Sequence, residues 1–72
     1  MMQPLISALE KGNVKIRYTS LVSGKEKEEV FTLKGVNLPQ NPENDKLVLL
    51  RHPANVYEDL EKSTIISWIR LY

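Results

Sequence analysis

Apolar and polar positions change period several times along this chain. Leu5, Ile6, Ala8 and Leu9 fall at helical spacing behind Pro4, whose missing N–H costs nothing in a first helical turn. Gly12 follows Lys11 as a C-terminal stop, so a helix is predicted over 4–11. At about two turns it is unstable alone and must lie on something apolar. From Asn13 the period drops to two. Val14, Ile16 and Tyr18 alternate with Lys15, Arg17 and Thr19, which predicts a half-buried strand over 13–22. Ser23-Gly24-Lys25 makes a turn, and Val30-Phe31-Thr32-Leu33 marks the return strand, over 28–35. The charged run from Lys25 to Glu29 reads as the solvated end of that hairpin.

Gly35 to Asp45 is irregular. Pro39 and Pro42, with Asn37, Asn41 and Asn44, exclude regular structure, and Leu38 is expected to tuck inward as a loop anchor. Leu47, Val48, Leu49 and Leu50 are apolar at successive positions. Such a run predicts a central strand over 46–52 covered on both sides, one of them by the helix. His52-Pro53-Ala54-Asn55 turns the chain into a short strand over 55–58. A single turn of 3-10 or α-helix is expected between Glu58 and Ser63. β-branched and aromatic residues then fill a strand over 64–72. Strict alternation would put Ile65, Ser67, Ile69 and Leu71 on one face and Ile66, Trp68, Arg70 and Tyr72 on the other. The fold expected is mainly β: a small five-stranded SH3- or Sm-like barrel preceded by a short N-terminal helix, closure being the way a small sheet disposes of its edges.

Composition narrows the function classes. Seventy-two residues make one domain, and with no cysteine there is no disulfide or thiolate-bound zinc to staple it. Stability must come from packing and sheet hydrogen bonds, or from a second subunit, so a monomer or small homo-oligomer is expected. Ten basic and nine acidic residues leave a net charge of +1, too little for a strong field toward nucleic acid or an anionic membrane. The apolar runs are too short to span a bilayer, and Met1-Met2-Gln3-Pro4-Leu5 lacks the basic start and apolar core of a secretory leader. A cytoplasmic protein without membrane contact is expected.

Candidate chemistry is sparse. His52 is the sole histidine and stands next to Pro53, where a turn role is the plainer reading. Glu58, Asp59 and Glu61 lack the spacing of a calcium loop, and the glycines are isolated, so no phosphate loop exists. No catalytic residue, metal ligand or cofactor is assigned, and the chain reads as a non-enzyme. The aromatic residues are more informative. Trp68, Arg70, Tyr72 and Tyr57 are of the types that dominate protein interfaces, and they form the partner-binding set, although Trp68 also suits a core position. The alternative is contact with single-stranded nucleic acid or a nucleotide through Lys15, Arg17, Tyr18 and Arg51, by base stacking beside cations.

Val14-Lys15-Ile16-Arg17-Tyr18-Thr19, Gly24, Thr32-Leu33, Leu38-Pro39 and Tyr57 through Trp68 together resemble the small WYL-like domains encoded by tailed bacteriophages. The resemblance spans roughly Leu5 to Trp68. It implies an SH3- or Sm-like barrel and a phage accessory protein that binds and modulates a host protein inside a bacterium. The chain departs from the larger WYL domains of bacterial regulators. Leu47-Val48-Leu49 stands where the Trp-Tyr-Leu triplet would be, and Arg17, Arg51 and Arg70 are its only arginines, so nucleotide sensing does not carry over.

Overall fold

A computed structural model describes residues 3–36, 45–52 and 54–72. The order of elements is α1 (Gln3–Lys11), β1 (Val14–Thr19), β2 (Glu26–Thr32), β3 (Lys46–His52), β4 (Val56–Glu61), a 3-10 turn (Lys62–Thr64) and β5 (Ile65–Arg70). The strands form one antiparallel sheet in the order β4-β3-β2-β1-β5. The expected mainly-β fold with a short N-terminal helix is thus present. β4 and β5 are the two outer strands, and no ladder joins them among the described residues. The expected loop residues Asn37, Leu38, Pro39, Asn41, Pro42 and Asn44 lie outside the described residues, as does Pro53.

The helix buries Leu5, Ile6, Ala8 and Leu9, the stripe its spacing predicts. They pack on Val14, Ile16, Phe31, Leu33, Leu47, Leu49 and Leu60. Phe31 is the largest fully buried side chain. The apolar run of β3 is covered less symmetrically than expected. Leu47 and Leu49 are fully buried, whereas Val48 and Leu50 on the other face are half-buried, because the helix covers only the inward side.

Several boundaries move, each for a local reason. β4 continues through Glu61, where a helical turn was expected from Glu58. Its alternation with β3, Glu58 opposite Leu49 and Leu60 opposite Leu47, holds the segment extended. The 3-10 turn starts one residue later and is fixed by the Lys62 N–H donating to the Asp45 carbonyl (2.8 Å) and the Thr64 hydroxyl to the Glu61 carbonyl (2.7 Å). In β5 the register slips at a bulge: Arg17 faces Ser67, but Tyr18 faces Ile65. Strict alternation therefore fails. Ile65 joins Trp68 against the core instead of sharing the face of Ser67 and Ile69.

Gly12 departs most from its sequence reading. It is not among the glycines in the left-handed region, which are Gly24 and Gly35. The helix end is satisfied by β2 instead. The Leu9 carbonyl accepts the Leu33 N–H (2.9 Å), and the Thr32 hydroxyl donates to the Gly12 carbonyl (3.0 Å). Gly12 is required by close approach: a Cβ there would stand 2.6 Å from Cδ1 and 2.8 Å from Cγ of Tyr72. The Leu71 N–H, donating to the Asn13 carbonyl at 2.9 Å, holds Tyr72 in that place.

This contact predicts a reversal of sign. Gly12→Ala should destabilise the protein by about 1–3 kcal/mol through overpacking against Tyr72. In a Tyr72→Gly background, which also removes the Tyr72 Cβ that would stand 3.1 Å away, the same change should be neutral or stabilising, since alanine outside the left-handed region lowers the entropy of the unfolded chain by about 0.4–1 kcal/mol. Urea denaturation of the four proteins measures this. Equal effects of Gly12→Ala in both backgrounds would show that Tyr72 does not set the requirement.

Candidate functional site

The inward face of the sheet changes character along the strands. Beside the helix it is wholly apolar. Further out, alternation turns Tyr18 of β1, Glu29 of β2, Arg51 of β3 and Glu58 of β4 toward one another. The Tyr18 hydroxyl donates to Glu29 Oε1 (2.5 Å), and Arg51 Nη2 donates to the same oxygen (2.7 Å). Arg51 Nη2 also lies 2.9 Å from Glu58 Oε1. One guanidinium thus ties three strands, and the tyrosine adds the fourth. The Tyr18 ring packs at a tilt against Phe31, with centroids 6.2 Å apart, so the polar cluster rests on the core.

These side chains are about one-quarter to one-third exposed at Glu29, Arg51 and Glu58, and Tyr18 is buried. Burial, then the hydrogen bond to Glu29, pushes the Tyr18 hydroxyl up to about 12. For Arg51, desolvation opposes the charge, but hydrogen bonding and attraction to Glu29, aided by Glu58, outweigh it and raise its pKa. The cluster holds a fixed arginine cation and a neutral phenol across the ordinary pH range. Arg51 Nε is buried and has no hydrogen-bond partner among the described residues.

The cluster forms part of the floor of an open groove of about 390 Å³. One wall is the β1–β2 turn, with Ser20, Leu21 and Val22; the other is β4 with Thr64. The turn was expected to be strand as far as Val22, but the ladder ends at the Thr19–Glu26 pair. Ser20 explains the early exit. Its N–H donates to the Lys25 carbonyl (2.8 Å), its carbonyl accepts the Gly24 N–H (2.8 Å), and its Oγ accepts the N–H groups of Val22 (3.3 Å) and Ser23 (3.4 Å). Gly24, at φ +74°, supplies the left-handed step that closes the turn. Leu21 and Val22 are left 73% and 99% exposed on a turn whose backbone is tied down.

The residues expected to bind a partner do not form one patch. Trp68 and Arg70 lie on β5 and Tyr57 on β4, at opposite edges of the sheet. Trp68 is partly buried against the core, while Arg70, Tyr57 and Tyr72 are exposed. The residues of the nucleic-acid alternative are divided as well. Lys15 and Arg17 point outward from β1, with Arg17 Nη2 2.7 Å from Glu26 Oε1. Tyr18 and Arg51 point inward and are bound to Glu29. His52 is exposed at the end of β3. Among the described residues, no group of histidine and carboxylate side chains is arranged to hold a metal ion. Sequence reasoning passed over Glu29, hidden in a charged run, and Leu21 and Val22, absorbed into a strand. The available signal was Ser20 followed by apolar residues and Gly24, which places those apolar side chains in a turn. No family model, curated protein or solved structure matches the chain.

The Tyr18 shift sets an alkaline limit on stability. Its pKa is raised from the ordinary 10.0 to about 12, so the folded state favours the protonated phenol. The contribution is complete below pH 10 and is lost as the pH rises through about 12. Urea unfolding at stepped alkaline pH should show the parent protein losing stability relative to Tyr18→Phe. Parallel curves for the two proteins would refute the coupling of this phenol to folding.

Proposed function

We propose that the chain is a noncatalytic interaction module, built as an SH3- or Sm-like barrel, that receives a segment of a partner protein in the groove between the β1–β2 turn and β4. The observation that carries this reading is the pair Leu21 and Val22, large apolar side chains held out in solvent at the wall of an open groove. Turn tips are ordinarily polar, and an apolar pair on a fixed turn loses little conformational entropy when covered. The opposite wall is polar, with Asp59 and Glu61 on β4 beside Lys46, and it offers polar contacts around the apolar anchors. The ionisable groups of the floor are engaged with one another, which suits a structural rather than a reactive role. The barrel reading draws support from the strand order, in which the outer strands are adjacent in sequence across a 3-10 turn; it is a partly open barrel, joined at that corner and leaving the Trp68–Arg70 end of β5 as an edge. The WYL-like resemblance extends the proposal to an accessory protein of a tailed bacteriophage, with a bacterial host protein as the partner.

The test is affinity capture from nuclease-treated bacterial lysate, comparing the parent with Leu21→Ser/Val22→Ser and with Lys15→Ser on the outward face. The expected result is a specific protein retained by the parent and Lys15→Ser and lost with the turn variant. Both turn residues are exposed, so the double change should cost little stability. Retention that disappears on nuclease treatment and falls steeply with salt would instead favour nucleic acid.

A further inference from the structure

We infer that two copies of this chain associate through their β5 strands, antiparallel about a two-fold axis at Ile69, so that one sheet runs through both copies. The two outer strands differ in charge. β4, Val-Tyr-Glu-Asp-Leu-Glu, carries three carboxylates in six residues, the kind of charge that discourages edge pairing. β5, Ile-Ile-Ser-Trp-Ile-Arg, carries a single charge and neither proline nor lysine. Ile66, Ile69, Leu71 and Tyr72 in and after it are 49%, 62%, 49% and 55% exposed. Its bulge lies at the start, facing Arg17 and Tyr18, and leaves the Trp68–Arg70 end regular. An exposed edge that is mostly apolar and bears one charge is a template for another strand.

Backbone alternation then selects the register. The Leu71 N–H donates to Asn13, so Asn13–Leu71 is a hydrogen-bonded pair, and Lys15–Ile69, two residues along, is the next. The intervening residues Trp68 and Arg70 therefore turn their N–H and C=O groups away from β1. A second β5 must bond to those groups. Antiparallel pairing allows three registers that use them. One sets Arg70 against the partner's Arg70, which like-charge repulsion disfavours. Another sets Trp68 against the partner's Trp68 and leaves Ile69 opposite the partner's Ser67. The third puts Trp68 opposite the partner's Arg70, Arg70 opposite the partner's Trp68, and Ile69 opposite the partner's Ile69. It places each guanidinium beside an indole, and it brings the most exposed large apolar side chain of the strand into a non-hydrogen-bonded pair, where side chains approach most closely. Because the same patch serves both copies, the assembly closes at two.

The chain has no cysteine, which makes the test direct. Sedimentation equilibrium up to high micromolar concentration should give a dimer. Ile69→Lys, which sets two ammonium groups against each other on the axis, should raise the dissociation constant at least about tenfold while circular dichroism remains that of the parent. Ile69→Cys should oxidise to a covalent dimer, whereas Tyr57→Cys on β4 should not. A parent protein that sediments as a monomer throughout would overturn the proposal. So would species larger than a dimer, with disulfides forming between Tyr57→Cys and Ile69→Cys chains, since that is head-to-tail pairing of β4 with β5.

Discussion

A flat sheet would hold β4 and β5 roughly 19 Å apart, with β3, β2 and β1 between them. The 3-10 turn that joins them, Lys62–Thr64, spans only about 6 Å at the usual rise of such a turn. The outer strands must therefore meet at that corner, and the sheet must curl around its inward face. The curl gives Leu47, Leu49 and Leu60 of one side and Val14 and Ile16 of the other a common interior, with Phe31 between them. It also makes the end of β4 and the β1–β2 turn the walls of a groove rather than separate loops. The bond from Lys62 to Asp45 anchors the turn to the start of β3, so the corner is held at both levels.

The interior so formed is longer than the helix can cover. Nine residues of α1 supply Leu5, Ile6, Ala8 and Leu9, which close the end near Phe31 and Leu33. Past Ile16 the inward positions are no longer aliphatic, and Tyr18, Glu29, Arg51 and Glu58 fill them. Ions in such a place contribute little net stability, because desolvation offsets attraction. Their value lies in register. A slip of one residue in β2, β3 or β4 would turn a carboxylate or the guanidinium outward and leave its partners uncompensated. The network thus discriminates against misaligned pairings on the inward face of the sheet.

How much of this was legible in the sequence depends on the range of the interaction. Local patterns read well: the apolar stripe of α1, the alternation of Val14, Ile16 and Tyr18, and the run from Leu47 to Leu50 each gave an element within a few residues of its true bounds. Failures arose where a distant partner decides the outcome. Glu58 to Glu61 has the composition of a polar turn, and only its ladder with β3 makes it a strand. Gly12 looks like a helix stop, and only the ring of Tyr72, sixty positions away, shows why a side chain cannot stand there. The bulge opposite Arg17 and Tyr18 has no proline or glycine to announce it, so the faces of β5 were misassigned at Ile65. The candidate site suffered most. Its floor comes from four strands, and its apolar wall depends on where Ser20 ends the hairpin ladder.

Trp68 brings these strands of argument together. As an outer-strand residue it was a natural interface candidate, and as a large aromatic in a small protein it was a natural core residue. It sits opposite Ile16, a fully buried neighbour, and is itself partly buried. Its contact with the core fixes the position of β5, so the backbone groups it turns outward are presented by a rigid strand. An edge that fluctuates would have to be ordered before it could pair, whereas one anchored by an inward indole is already in the extended conformation pairing needs. The packing of Trp68 against the core bears on its core reading, and in the β5 pairing proposed above that inner contact would be what makes the outer edge usable.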